Sequence, residues 1–195
     1  MTRVGWIVLG IIVLLFAGFA SLTRFGGSLP LGRPSADPAT TVRSDAAGGD
    51  LVVPVAGVAR ESLQRNWGDP REGGQRAHHG LDIMAPRMTP VLATAPGRVE
   101  KLFQSGLGGT TLYLRSADGS TVYYYAHLAG YAPGIAEGQQ VSAGQPLGFV
   151  GDTGDAGAGN YHLHFGVQRM QPGQRWWQGE DVDPFPLLAP RVASR

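Results

Sequence analysis

The most apolar part of the chain is a run near its N-terminus, from Val4 to Leu22, that contains no charged residue. A helix of this length, at ~1.5 Å per residue, spans roughly 28 Å, close to the ~30 Å hydrocarbon core of a bilayer. The run is longer than the about 7–15 apolar residues of a cleavable signal peptide. Residues 1–22 are therefore predicted to form one uncleaved transmembrane signal anchor. Cleavage after Gly18-Phe19-Ala20 is the alternative.

The pattern changes twice beyond this run. Residues 23–50 are rich in Gly, Pro, Ala, Ser and Thr and show neither helical nor strand periodicity, which predicts a flexible linker. From Leu51 onward, short apolar segments alternate with turn signals. This pattern predicts a folded domain over residues 51–188 and a loose tail over residues 189–195.

Within the predicted domain, the short apolar or alternating segments are typical of β-strands. A turn signal, Ser116–Ser120, contains Asp118-Gly119 and predicts a hairpin. No helical period of about 12 or more residues follows Leu22. We therefore predict an all-β, mainly antiparallel domain, similar to a small barrel or sandwich. The predicted strands are 51–55, 90–94, 98–103, 110–115, 121–127, 140–141, 146–150 and the segment around 162–165.

The amino-acid composition limits the kinds of fold, partner and metal site that the chain can have. Glycine accounts for 30 of 195 residues, about twice the usual ~7%, which favours short strands and tight turns. The formal net charge is only +1, so the chain lacks the electrostatic footprint of a nucleic-acid-binding protein, and no nucleic-acid partner is expected. There is no cysteine, which excludes disulfides, thiolate metal sites and cysteine nucleophiles. Any bound metal must therefore be held by histidine and carboxylate side chains.

Two of the five histidines lie close together in the segment Tyr161–Phe165. In an extended chain His162 and His164 project from the same face, and Leu163 and Phe165 project from the other, toward a core. Such a pair suits either two metal ligands or one ligand and one proton-transfer group. The alternative is two polar residues on the solvated face of a half-buried strand.

A second polar cluster is the segment His78–Asp82. In an extended chain His78 and Asp82 share a face, whereas His79 points away. Gly80 between them leaves room for close approach of backbone or substrate. The alternative is a surface loop with a capping aspartate.

The remaining histidine, His127, ends a predicted strand beside a glycine-containing loop, a common location for catalytic groups. Tyr123, Tyr125 and His127 are spaced two residues apart, so in a regular strand they project from the same face. This spacing predicts an aromatic face that leads to the histidine. A solvent-exposed histidine is the alternative. Further along, Trp176-Trp177 fits either the lining of a groove or packing at the end of the domain.

Together these clusters supply three nitrogen or oxygen ligands, the number that a catalytic zinc requires, and leave histidines for proton transfer. The combination predicts metal-assisted hydrolysis. Parity alone does not distinguish the role of His162 from that of His164.

The chain also resembles a known family from about Val53 to Pro184. It is similar to the lysostaphin-type (LytM-like) zinc metallopeptidases, which cut peptide bonds in bacterial cell-wall peptidoglycan. The matching motifs occur in the family's order and approximate spacing. They are His78-x-Gly80-x-Asp82-Ile83, Thr89-Pro90-Val91, Gly97-x-Val99, Tyr125-Ala126-His127-Leu128, Gly148-x-Val150-Gly151-x-Thr153-Gly154 and His162-Leu163-His164-Phe165.

This resemblance implies a small β fold with a groove that holds one zinc ion per chain. His78, Asp82 and His164 would bind the metal, and His127 and His162 would be the catalytic histidines. Met88 stands where the family usually has glycine, and Gly166 where an acidic residue is common. Some members lack metal ligands and activate other wall hydrolases, so a non-catalytic, wall-binding regulator is the alternative function; this chain keeps the full set.

The implied substrate agrees with the predicted anchor. A hydrolase that acts on peptidoglycan peptides must work outside the cytoplasmic membrane. We therefore expect a single-pass protein of the cytoplasmic membrane whose C-terminal domain lies in the periplasm or extracytoplasmic space. The expected partners are the peptidoglycan peptide, the membrane and a protein regulator.

Overall fold

The computed structural model describes residues 51–189, which are built mainly from eleven β-strands. Two 3-10 turns, Arg60–Ser62 and Glu72–Gly74, and one α-helix, Phe185–Leu188, complete the regular structure of these residues. The strands are β1 (Pro70–Arg71), β2 (Arg76–Ala77), β3 (Leu81–Met84), β4 (Pro90–Leu92), β5 (Gly97–Ser105), β6 (Gly109–Ser116), β7 (Thr121–Tyr131), β8 (Gln140–Val141), β9 (Pro146–Val150), β10 (His162–Arg169) and β11 (Glu180–Val182).

Nine of these strands form one antiparallel sheet in the order β11-β10-β7-β6-β5-β8. Strand β3 also pairs with β10, and β9 pairs with both β7 and β4. The small hairpin β1-β2 stands apart from this sheet. The predicted all-β, antiparallel domain is thus confirmed. The predicted similarity to a barrel is not confirmed. The two strands at the ends of the strand order, β8 and β11, do not pair, so residues 51–189 form no closed barrel.

Strand β10 shows how alternation separates the core from the solvated face. Leu163 and Phe165 are fully buried, and Val167 follows them into the same core. The intervening His162 and His164 project from the opposite face, as period-two alternation predicts. Because β10 lies between β3 and β7, these histidines are brought beside residues of both neighbouring strands.

The hairpin between β6 and β7 has the predicted turn. Gly119 adopts a φ of +77°, which favours glycine over other residues. The Asp118 carboxylate accepts hydrogen bonds from the Ser116 hydroxyl and the Ser120 backbone N–H. The turn therefore joins β6 to β7, the strand that carries His127.

The predicted strand at residues 51–55 is wrong. This segment makes a single bridge to β4, between Val55 and Val91. The ladder cannot extend through Pro54, which has no backbone N–H to donate. The segment instead runs beside β4 with separate hydrogen bonds, such as that from Leu92 N–H to the Pro54 carbonyl.

The predicted anchor (residues 1–22), the predicted linker (residues 23–50) and residues 190–195 of the predicted tail lie outside the described residues. Within residues 51–189, no helix has the length and apolar character needed to cross a membrane.

Candidate functional site

A groove of about 370 Å³ lies over the polar face of β10 and β7. It contains all five residues that the sequence singled out for chemistry: His78, Asp82, His127, His162 and His164. The structure therefore brings together residues from segments that are far apart along the chain.

Three of these residues converge on one point. His78 Nε2 and His164 Nδ1 each lie 3.0 Å from Asp82 Oδ1, and the two nitrogens are 2.9 Å apart. The β3-β10 register explains the meeting, because Asp82 and His164 are directly opposed across these strands. Two imidazole nitrogens and a carboxylate oxygen are ligands of catalytic zinc, whose tetrahedral bonds of about 2.0–2.1 Å separate ligand atoms by roughly 3.3–3.4 Å. The three residues therefore fit a metal ion.

Asn66 orients two of these candidate ligands. The Nδ1–H of His78 donates to the Asn66 backbone carbonyl at 2.8 Å, which turns Nε2 toward the cluster. The Asn66 side-chain oxygen accepts the Asp82 backbone N–H at 3.2 Å. Sequence reasoning missed this residue, because a turn-rich polar stretch carries no pattern that marks one asparagine as a positioning group.

Arg71, also missed by sequence reasoning, orients the carboxylate. Its Nη2 donates to Asp82 Oδ2 at 2.5 Å, which leaves Oδ1 facing His78 and His164. Burial disfavours the charged carboxylate, but its close polar contacts with His164 and His78 outweigh burial and hold the pKa of Asp82 well below its usual range. Asp82 is therefore an anion at neutral pH, as a metal ligand must be.

His127 and His162 form a pair beside this cluster, with ring centroids 4.8 Å apart. The Nδ1–H of His127 donates to the Thr153 carbonyl at 2.8 Å, and that of His162 donates to the Asn160 carbonyl at 2.9 Å. A carbonyl can only accept, so each ring carries its proton on Nδ1 and presents Nε2 to the groove. Burial, together with the neighbouring His162 and His164, lowers the pKa of His127.

The face predicted for His127 needs correction. Tyr123 and Tyr125 lie in the core and do not lead to the histidine. Between the pairs Thr110–Leu128 and Leu112–Tyr125 the register shifts, so that one residue of β6 opposes both Ala126 and His127. This β-bulge, with a φ of +60° at His127, turns its side chain into the groove. Parity fails across a bulge because the extra residue reverses the alternation.

The remaining histidine, His79, lies outside the groove. His79 is exposed and turned away as predicted, with its ring stacked on Trp67 and its Nδ1 3.0 Å from Asp181.

Met88, at the position where the family usually has glycine, adopts a φ of +68°. That left-handed conformation favours glycine, which accounts for the family's usual residue.

Gly80 makes room for a candidate ligand. A Cβ added at this position would lie 2.5 Å from Cε1 and 2.6 Å from Nε2 of His164. The glycine predicted to allow close approach of backbone or substrate thus admits the imidazole of His164 instead.

Replacing Gly80 by alanine is expected to displace the His164 ring and to weaken Zn²⁺ affinity about 10–100-fold, the range typical of disturbed ligand orientation. Competition with a chelating dye measures this affinity. Gly130→Ala is the matched control, since a Cβ there meets no atom within 4 Å. Equal zinc affinity in the two variants would contradict the role assigned to Gly80.

Much of this chain is similar to known proteins. Residues 76–184 match the family described as Peptidase family M23. The L-Ala–D-Glu endopeptidase of Bacillus subtilis (strain 168) is 38% identical over 133 residues, which cover 65% of this chain and 39% of that protein. The peptidoglycan DD-endopeptidase ShyC of Vibrio cholerae is 31% identical over 106 residues, which cover 54% of this chain and 24% of that protein. The chain thus spans well under half the length of these relatives.

The structural comparison gives the same family. The catalytic domain of the antimicrobial peptidase lysostaphin from Staphylococcus simulans superposes with a TM-score of 0.54 and 29% sequence identity. The match covers 66% of this chain and 92% of that domain. The matched segment of the sequence includes the candidate metal-binding cluster, which consists of His78, Asp82 and His164, and both histidines beside it. The chain therefore belongs to peptidase family M23.

Proposed function

We propose that this chain is a zinc-dependent endopeptidase that hydrolyses peptide bonds in bacterial peptidoglycan. The observation that carries the proposal is the convergence of His78, Asp82 and His164 beside the Nε2 atoms of His127 and His162. Relatives named as an L-Ala–D-Glu endopeptidase and a peptidoglycan DD-endopeptidase support the substrate class.

The proposed ligands are His78 Nε2, Asp82 Oδ1 and His164 Nδ1, for one Zn²⁺ per chain. Bound there, zinc would act as a Lewis acid on the scissile carbonyl and lower the pKa of a coordinated water to about 7. Asn66 and Arg71 hold these ligands in place through their hydrogen bonds.

The two other histidines move protons. His127 is neutral at pH 7 because its pKa is lowered, and its Nε2 lone pair faces the groove, so it accepts the proton of the attacking water. His162, with Nε2 on the same side, becomes a donor when it binds a second proton at Nε2; in that imidazolium form it would donate to the developing oxyanion and pass the proton to the leaving amine. The pair then carries one extra proton throughout, because His127 gains one from the water as His162 gives one up. The two rings are close enough to serve the same reacting amide.

We also propose where this reaction takes place. Residues 1–22 would anchor the protein in the cytoplasmic membrane, and residues 23–50 would tether the peptidase domain at residues 51–188. The domain would then face the periplasm or extracytoplasmic space, where peptidoglycan is found. A protein regulator that controls access to the groove is part of this proposal.

Digestion of purified peptidoglycan by the full chain tests the activity. We expect mass analysis to show fragments cut at a peptide amide with the glycan intact, and these masses identify the bond. Chelation of the metal should abolish cleavage, and one equivalent of Zn²⁺ should restore it. A zinc-loaded protein that leaves peptidoglycan uncut but stimulates another wall hydrolase would instead establish the non-catalytic regulator.

A further inference from the structure

Outside the groove, four aromatic side chains form a continuous patch, which we call the aromatic surface: Phe103 of β5, Tyr113 of β6, and Trp176 and Trp177 of the β10-β11 loop. The Trp176 ring lies 4.4 Å from Tyr113, 5.4 Å from Phe103 and 5.0 Å from Trp177, measured between centroids. Phe103 is 40% exposed and Trp177 is 51% exposed. Exposed aromatic patches of this kind typically mark binding sites.

The aromatic surface is continuous with the groove. The Tyr113 ring lies 4.7 Å from Tyr124, which lines the groove, and Tyr124 lies 5.9 Å from the His164 ring. Tyr113 and Tyr124 project from the polar face of the sheet, because their strand neighbours Leu112 and Tyr125 are in the core. A row of aromatic rings therefore leads from the metal-binding cluster across β7 and β6 to the β10-β11 loop.

Charged groups near this surface are largely paired with one another: Lys101, which opposes Tyr113, pairs with Glu137, and Arg115 pairs with Glu100. Gln174 and Gln178 each use the side-chain oxygen to accept a backbone N–H within their own loop, which leaves their amide NH₂ groups as donors. Arg175 of the same loop has its guanidinium 5.3 Å from the centre of the Trp177 ring. A surface of aromatic rings with amide donors suits a neutral ligand that offers apolar ring faces and hydroxyl or acetamido groups. Pyranose sugars have both.

We propose that the aromatic surface binds the glycan strand of peptidoglycan while the attached peptide occupies the groove. The inference rests on the proposed function for its substrate and deepens it, since it assigns a second part of the same polymer to a second part of the protein. The C–H faces of successive sugar rings would stack on Trp177 and Phe103, and the amides of the loop would donate to their oxygens.

Binding of a glycan without peptide tests this directly. Calorimetry with the full, zinc-loaded chain and chitohexaose, a β-1,4-linked oligomer of N-acetylglucosamine, is expected to detect binding. Trp177→Ala should weaken it about tenfold, and Trp177→Phe, which keeps an aromatic ring, should weaken it less. Leu187→Ala is the matched control, because this side chain is comparably exposed at 43% but lies on the C-terminal helix. Equal affinity of the alanine variants would overturn the proposal.

Cleavage rates separate this inference from the proposed activity. We expect Trp177→Ala to slow the digestion of intact peptidoglycan about tenfold and to leave the cleavage of the same peptide freed from glycan unchanged. An equal loss on both substrates would overturn glycan binding. Failure of the unchanged protein to cut either substrate would instead overturn the proposed function, while the chitohexaose measurement would still report on the surface.

A second copy of the chain is the competing occupant. Sedimentation of the unchanged protein and of Trp177→Ala distinguishes it. We expect the unchanged protein and Trp177→Ala to show the same molecular mass in sedimentation. A dimer that dissociates on Trp177→Ala, with chitohexaose affinity unchanged, would assign the surface to self-association and overturn the proposal. Phe103→Ala, on a different element, should repeat the effect of Trp177→Ala on chitohexaose binding.

Discussion

Replacing His162 by alanine is expected to lower the rate of peptidoglycan cleavage by about 10²–10⁴, the usual contribution of a positioned proton-transfer group. The zinc content should remain at one ion per chain. The reason is geometric: His162 Nε2 lies 3.8 Å from Asp82 Oδ1, whereas His164 Nδ1 and His78 Nε2 both lie at 3.0 Å. His162 is beside the metal-binding cluster but is not one of its three converging ligands.

Two measurements decide this prediction. Elemental analysis gives the zinc content of the purified variant, and fragment masses from digested peptidoglycan give its activity. His79→Ala is the matched control, since His79 is exposed and engaged with Trp67 outside the groove, and it should keep both zinc and activity. Loss of zinc from the His162 variant would show that the roles of His162 and His164 had been exchanged.

His162 and His164 show which features of the site could be predicted from the sequence and which could not. Alternation in β10 is a local property, so the sequence correctly predicted that His162 and His164 share a polar face while Leu163 and Phe165 enter the core. Their different proposed roles depend on the opposing strand β3, which brings Asp82 opposite His164. That register is a property of the folded sheet. Only the resemblance to a family supplied the assignment in advance.

The incorrect predictions also have local physical causes. The bulge at Ala126-His127 inserts one extra residue, so the side chains on its two sides no longer alternate as in a regular strand. The sequence of one strand contains no pattern that predicts such a bulge. The failure of residues 51–55 to form a strand follows from Pro54, whose missing N–H interrupts pairing. The apolar content of this segment predicted a strand, and Val55 is buried, but apolar content does not supply a hydrogen-bond donor.

The positioning residues could not have been predicted for a further reason. Asn66 contributes its backbone carbonyl to His78, and any residue type has such a carbonyl; its side-chain oxygen contacts only the backbone N–H of Asp82. Arg71 contributes through an ion pair with Asp82 that forms only when the β1-β2 hairpin folds against the groove. Roles that depend on main-chain atoms or on tertiary contacts of ordinary charged residues leave no signal in a single sequence.

Replacing Asp82 by asparagine should have the largest effect on the metal. The change keeps the size of the side chain but removes the negative charge that His78 and His164 stabilise. Since an amide is a much poorer ligand than a carboxylate, we expect Zn²⁺ affinity to fall by about 100-fold or more, and cleavage to fall with it. Dye competition measures the affinity, and digestion of peptidoglycan measures the activity.

Thermal unfolding provides an independent measurement that does not depend on catalysis. Zinc at about 100 times its Kd should stabilise the unchanged protein by about 2.7 kcal/mol, because it binds the folded chain, and the same concentration should stabilise Asp82→Asn far less. Asp181→Asn is the matched control, since Asp181 contacts His79 and Gln168 outside the groove. If zinc raised the Tm of Asp82→Asn as much as that of Asp181→Asn, Asp82 would not be a ligand. The proposed centre would then have only two of its three protein ligands, one fewer than catalytic zinc requires.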